Sequence, residues 1–216
     1  MVQEISFTGH SHKYCVCFVD MVESTKITAT LDPEKMKRYY SIFINMMAAI
    51  ARDNDANVIK NTGDSIIFYF PKTSDSTYLP AFNDVLECGF IMLGVDLIIN
   101  EKLTEEGLPH LHYRISADYG RVDLAKSLTS TSEDIFGPTV NICAKINPIA
   151  SPNCMVIGND LYKIVKHTCD GKDYTFKRVG EYSIEDLELR YPVFSVMSMA
   201  KNNSRNKAIR MYKDIF

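Results

Sequence analysis

Residues 58–70 read VIKNTGDSIIFYF, and the pattern of this stretch decides how the chain folds. Ser65 to Phe70 is β-branched and aromatic, the composition of a buried strand, and Val58-Ile59 reads as the end of another. The Asn61-Thr62-Gly63-Asp64 link is then a hairpin turn, with Gly63 suited to a positive φ. Lys60 and Asp64 are left at the lip of two apolar strands. They are either ordinary polar turn residues or groups held out for chemistry, and the rest of the chain has to decide between the two.

Working outward, Lys13 to Val19 is a second strand, and it ends on a carboxylate, Asp20. The stretch LDPEKMKRYYSIFINMMAAIARDN opens with Asp32 as N-cap and Pro33 at the first helical position. Met36, Tyr40, Phe43, Met47 and Ile50 share one face of this helix and read as core. Residues 81–103 form a second long helix. HLHYRISADYGRVDLA, 110–125, reads as a strand, a turn at Tyr119-Gly120 and another strand. Residues 134–151 lead from a loop into a helix, followed by a short strand at 154–160, a helix at 161–168 and a strand pair at 175–184 and 191–198. Strands and helices alternate with hairpins between them, so the expected fold is α+β, a ferredoxin-like sandwich with a mainly antiparallel sheet and helices on one face. Residues 1–200 make one domain, and 201–216 a basic, polar C-terminal tail.

With 216 residues, 46% hydrophobic and 24% charged, the chain suits one globular domain with a sizeable core. A net charge of -3 gives no electrostatic footprint for nucleic acid. The longest apolar run, near residues 88–95, is interrupted by Asp96 and too short to span a bilayer, and no signal-peptide core is present. No membrane association and a cytoplasmic location are expected. None of the six cysteines forms a CxxC pair, and Cys15 and Cys17 read as small core residues of a strand.

Asp20 and Asp64 stand at strand edges and meet if their strands lie side by side. Paired carboxylates without histidine neighbours favour a hard cation, Mg2+ or Mn2+, which then binds substrate phosphates. Two such ions per site activate an attacking oxygen and stabilise a leaving one. The alternative makes Asp20 a strand-end or capping residue.

FVDMVEST at 18–25, IKNTGDSIIFYF at 59–70 and DIFGPTVNICAKI at 134–146 together resemble the class III nucleotidyl cyclase catalytic domain, the family of adenylate and guanylate cyclases. The three motifs occur in the family's order with similar intervals, and the likeness runs from about residue 13 to 198. The resemblance implies that Asp20 and Asp64 hold the metals, with the Met21 backbone carbonyl as a further ligand. Lys60 and Asp134 match the pair that reads the purine, Asn141 the asparagine that orients the ribose, and Lys145 a transition-state arginine. It also implies a site shared between two domains, metal aspartates from one and base-reading and transition-state residues from the other, hence a homodimer with two equivalent sites.

Adenine offers an acceptor at N1 beside a donor amine at N6, so a lysine donor paired with an aspartate acceptor complements it. Guanine reverses that edge and would oppose two acceptors at Asp134. ATP is the expected substrate, and 3′,5′-cyclic AMP with pyrophosphate the expected products; the alternative is a degenerate cyclase-homology domain that binds nucleotide or a partner without turnover. The chain departs from the family at three points. Lys145 lacks the planar fork of a guanidinium. Glu185 stands near where a phosphate-binding lysine is usual, leaving Lys177 or Arg178 as substitutes. Glu23 replaces a glycine of the first metal loop, where it either crowds the triphosphate or adds an exposed charge.

Overall fold

The computed structural model describes residues 5–61, 63–127, 133–169, 173–184, 189–199, 201–213 and 215. The chain begins with β1 (Ile5–Met21), α1 (Ser24–Thr28), α2 (Pro33–Asp53), β2 (Asn57–Asn61) and β3 (Ser65–Phe70). Next come α3 (Leu79–Gly94), α4 (Asp96–Glu105), β4 (Tyr113–Ser127), β5 (Glu133–Phe136) and α5 (Pro138–Ile146). It closes with β6 (Cys154–Gly158), α6 (Asn159–Cys169), β7 (Tyr174–Ile184), β8 (Leu189–Ser198) and α7 (Lys201–Tyr212). Among the described residues the strands form one sheet in the order β2-β3-β1-β4-β6-β8-β7, with β5 added alongside β4. Neighbours pair antiparallel, except β4 with β6.

The hairpin forms as its alternation requires. β2 and β3 pair antiparallel, all six residues of β3 are buried, and Gly63 takes φ 77° in the link. Helix α2 starts at the expected cap, where the Asp32 side chain accepts from the Lys35 N–H at 2.9 Å, with Pro33 in the first turn. Of the five residues expected on its apolar stripe, Phe43, Met47 and Ile50 are buried and Met36 and Tyr40 half-buried, while Tyr39, Ile42, Met46 and Ala51 are buried in addition. This stripe packs on Cys15, Cys17, Val19, Phe68 and Phe70 of one sheet face. Each fully buried side chain of that size contributes about 1.5–3 kcal/mol. Burial also holds the Cys15 and Cys17 thiols well above their usual range, so both act as small core groups.

Three expectations change. The turn at Tyr119-Gly120 is absent: β4 runs straight through, with Gly120 opposite Tyr14 of β1. Gly120 serves close approach instead, since a Cβ there would lie 2.6 Å from Thr139 Oγ1 at the start of α5. The long helix at 81–103 is two, α3 and α4, broken at Val95. The Tyr113 hydroxyl donates to the Met92 carbonyl there, and Val95 N–H donates to the same oxygen, so the regular helical ladder is interrupted after Gly94. Residues 201–212, set apart in the sequence as a tail, form α7, which packs on α3 and sends Ala208 and Tyr212 into the main core.

Helices α2, α3 and α6 cover one sheet face. Helix α5 lies on the other, over Val16, Val122 and Ile135, in a smaller cluster that also buries Ile67 and Tyr69. Asp20 and Lys60 lie on this side of the sheet.

Candidate active site

β1 delivers Asp20 and Met21 to the end of the sheet. Asp20 sits opposite Ser65 of β3, so Asp64, one residue earlier, comes beside it. Two bonds fix Asp64 to the loop after β1: Met21 N–H donates to its carbonyl at 3.1 Å, and the buried Ser24 hydroxyl donates to its carboxylate. Asp20 is half-buried, and its carboxyl is pushed up to about 6, first by desolvation and then by the Asp64 charge, with the Arg114 guanidinium opposing both. Two carboxylates crowded this way are a ready ligand pair for a divalent cation.

Among the described residues no group of three His, Cys, Asp or Glu side chains converges to hold a metal. Mg2+ is typically held by one or two carboxylates and completes its shell with water and substrate phosphates. Asp20, Asp64 and the Met21 carbonyl are hard oxygen donors of the right kind. Between them and α1 stands Glu23, exposed, ion-paired to Lys26 and in left-handed backbone at φ 57°. The left-handed backbone accounts physically for the glycine usual at this point of the loop.

Lys60 and Asp134 meet directly. Lys60 Nζ donates to both carboxylate oxygens at 2.8 and 3.0 Å, across the space between β2 and β5. The side chains are 43% and 34% exposed, and an ion pair that open adds under about 1 kcal/mol to stability. Lys60 lies opposite Ile67, whose side chain belongs to the α5-side cluster, and Asp20 follows Phe18 of the same cluster by two residues. By strand alternation Lys60 and Asp20 face the same side of the sheet.

Asn141 and Lys145 lie four residues apart on α5 and are exposed together, while Cys143 and Ile146 on the inner side are buried. No ion pair engages Lys145 among the described residues. Lys177 and Arg178 lie on β7, four strands from β1, about 19 Å at the usual strand spacing. Arg178 is paired with Glu181 at 2.7 Å. Within one chain neither reaches Asp20. Glu185 lies outside the described residues. Of the histidines, His110 bonds Thr104 and His112 bonds Asn153, both in structural loops.

The sequence reading missed Arg114. It is the cross-strand partner of Asp20, and its buried Nε has no hydrogen-bond partner. The signal was present in YRISADYG: an arginine inside an alternating strand, where a long cation is rare unless it faces a charged site. Asp118, also unremarked, is buried; desolvation pushes its carboxyl up to about 6, and it accepts from the Tyr191 hydroxyl at 2.8 Å and the Leu161 N–H at 3.2 Å. It ties β8 and the start of α6 to the sheet.

The fold is an α+β sheet with helices on both faces, and it carries a carboxylate pair and an amine–carboxylate pair. The chain belongs to the adenylate and guanylate cyclase catalytic domain family, whose profile matches residues 8–197. Among curated proteins it is 25% identical over 153 residues to an adenylate cyclase of Streptomyces griseus, covering 70% of this chain and 33% of that protein. It is 22% identical over 197 residues to a cytidylate cyclase of Staphylococcus aureus, covering 87% and 45%. The chain thus spans less than half the length of either relative. Among solved structures, the adenylyl cyclase CyaB from P. aeruginosa superposes with a TM-score of 0.76 at 17% identity, covering 87% of this chain and 95% of that one. The guanylyl cyclase Cya2 gives 0.74, also at 17% identity, with 87% and 93% covered. Both share the fold. No helix among the described residues is long and apolar enough to cross a membrane.

Proposed function

We propose that the protein cyclises ATP to 3′,5′-cyclic AMP and pyrophosphate, at sites shared between two copies of the chain. The observation that carries this reading is the direct Lys60–Asp134 contact, a donor beside an acceptor, in a chain whose register also sets Asp20 beside Asp64. Lys60 Nζ donates to adenine N1 and Asp134 accepts from the N6 amine, exchanging their mutual bond for two bonds to the base. Asp20, Asp64 and the Met21 carbonyl would hold divalent cations, which would neutralise charge on the triphosphate and acidify the ribose 3′-hydroxyl. Arg114, beside Asp20, meets phosphate oxygens. Asn141 orients the ribose, and Lys145 offsets charge at the α-phosphorus. The 3′-oxygen forms its bond to that phosphorus, the bond to the bridging oxygen breaks, and the hydroxyl proton passes to solvent. Catalysis is positioning and charge stabilisation.

The exposed Asn141 and Lys145 serve a triphosphate held by the partner copy. Mixing inactive Asp64→Ala with inactive Asn141→Ala then regenerates product; a mixture that stays inactive argues against the shared site.

A second reading has a specific basis. Cytosine presents an N4 amine beside an N3 acceptor, the same donor–acceptor order as adenine. Lys60 and Asp134 therefore accept CTP by the same bonds, and one relative is a cytidylate cyclase. Competition among equimolar ATP, CTP, GTP and UTP, with cyclic products separated by chromatography, decides between them. Cyclic AMP as the main product supports the first reading and cyclic CMP the second. Cyclic GMP or UMP as the main product refutes the role given to Lys60 and Asp134.

A further inference from the structure

Among the described residues, two buried side-chain polar atoms have no hydrogen-bond partner: Arg114 Nε and Asn147 Oδ1. The first is a donor and the second an acceptor. Asn147 follows α5 directly and is 3% exposed. Its Nδ2 donates to the carbonyl of Phe18 at 3.4 Å, the carbonyl of Arg114 at 3.4 Å and the Ser116 hydroxyl at 3.2 Å. Those groups bracket Asp20, since Phe18 precedes it by two residues and Arg114 is its partner across the strands. Reversing the amide would turn an oxygen toward two carbonyl oxygens, so the bonds fix Oδ1 on the unpaired side.

An orphaned buried donor and an orphaned buried acceptor each carry a desolvation cost, and these two belong to residues already joined by the bond from Asn147 Nδ2 to the Arg114 carbonyl. We propose that Asn147 is a positioning residue for Arg114: its Oδ1 accepts the Nε–H, directly or through one buried water, when a triphosphate draws the guanidinium into the site. With Nε held, the two Nη groups stay free in one plane for paired bonds to phosphate oxygens. Asn147 thereby links the end of α5, which carries Lys145, to the strands that carry Asp20 and Arg114. The inference rests on the nucleotide-cyclising reading and adds a residue to it.

The test is a double-mutant cycle of Asn147→Ala and Arg114→Ala, with kcat and KM for the nucleotide triphosphate, the binding of AMP, and a circular-dichroism melt for each protein. Asn147→Gln, which keeps both polar ends but displaces the acceptor, runs through the same cycle if Asn147→Ala does not fold. The expected result is a KM about tenfold higher in Asn147→Ala with kcat little changed, the size of one charge-assisted hydrogen bond. No further rise is expected when Arg114 is already alanine, and AMP binding should be unchanged. Equal losses in both Arg114 backgrounds, or an equal loss of AMP affinity, would make Asn147 merely structural and overturn the proposal. A wild type that cyclises while Asn147→Ala keeps its KM removes this inference alone. A wild type that binds no nucleoside triphosphate removes the cyclase reading and this inference with it.

Discussion

Lys60 Nζ lies 2.8 and 3.0 Å from the two carboxylate oxygens of Asp134, seventy-four residues away in the chain. The pair is exposed enough that its removal should leave the fold intact. Lys60→Ala is expected to raise KM for the preferred nucleotide by about 10–100-fold, the loss of a charged hydrogen bond, and to narrow discrimination against GTP. Steady-state kinetics with ATP, CTP and GTP checks this. Unchanged selectivity would move base recognition elsewhere.

Asp20 gives the pH dependence. Its folded carboxyl titrates near 6, above the ordinary value of 3.8, so the metal-free fold holds the proton more tightly than the unfolded chain. The contribution to stability is therefore fully present below about pH 4 and is lost as pH rises through about 6. Metal binding runs the other way, because the ligand must be deprotonated. Mn2+ affinity by calorimetry should weaken as pH falls below 6, by up to about tenfold per unit, and Asp20→Asn should flatten the dependence. A flat profile in the wild type would separate Asp20 from the metal.

Lys145 is exposed on α5 beside Asn141 and keeps the charge, though not the fork, of an arginine. Lys145→Arg is expected to raise kcat several-fold with little change in KM, because an interaction made mainly in the transition state is the one improved. A fall in kcat in single-turnover measurements would show a site adapted to the shorter ammonium.

Glu23 occupies φ 57°, where an L side chain costs about 1–2 kcal/mol. Glu23→Gly removes that strain and adds the entropy cost of glycine, leaving a net gain of about 0.5–1 kcal/mol. The melting temperature should rise by about 1–4 °C. A lower melting temperature would mean that the Glu23–Lys26 pair outweighs the strain.

The fold was legible where the chain carried local signals. Asp32-Pro33 marked the start of α2, and the apolar run after Gly63 marked β3. The errors came from tertiary contacts that no window of sequence contains. Gly120 looks like a turn until Thr139 is packed against it, and the break at Val95 depends on a hydroxyl from Tyr113, well along the chain. In the candidate site, Asp20, Asp64, Lys60 and Asp134 were legible as candidates because they stand at strand ends or in motifs. Arg114 and Asn147 were missed because an arginine in a strand and an asparagine after a helix are uninformative until the sheet register sets both beside Asp20.

The most direct test is a chromatographic assay of purified protein with ATP and either Mg2+ or Mn2+, in parallel with Asp64→Ala. Asp64 lies in a turn and its carboxylate accepts from the buried Ser24 hydroxyl, so the variant should stay folded but melt somewhat below the wild type. The account predicts 3′,5′-cyclic AMP and pyrophosphate in equal amounts from the wild type, and neither from Asp64→Ala. Equal product from the variant, or none from a wild type that dimerises and binds ATP, would contradict it.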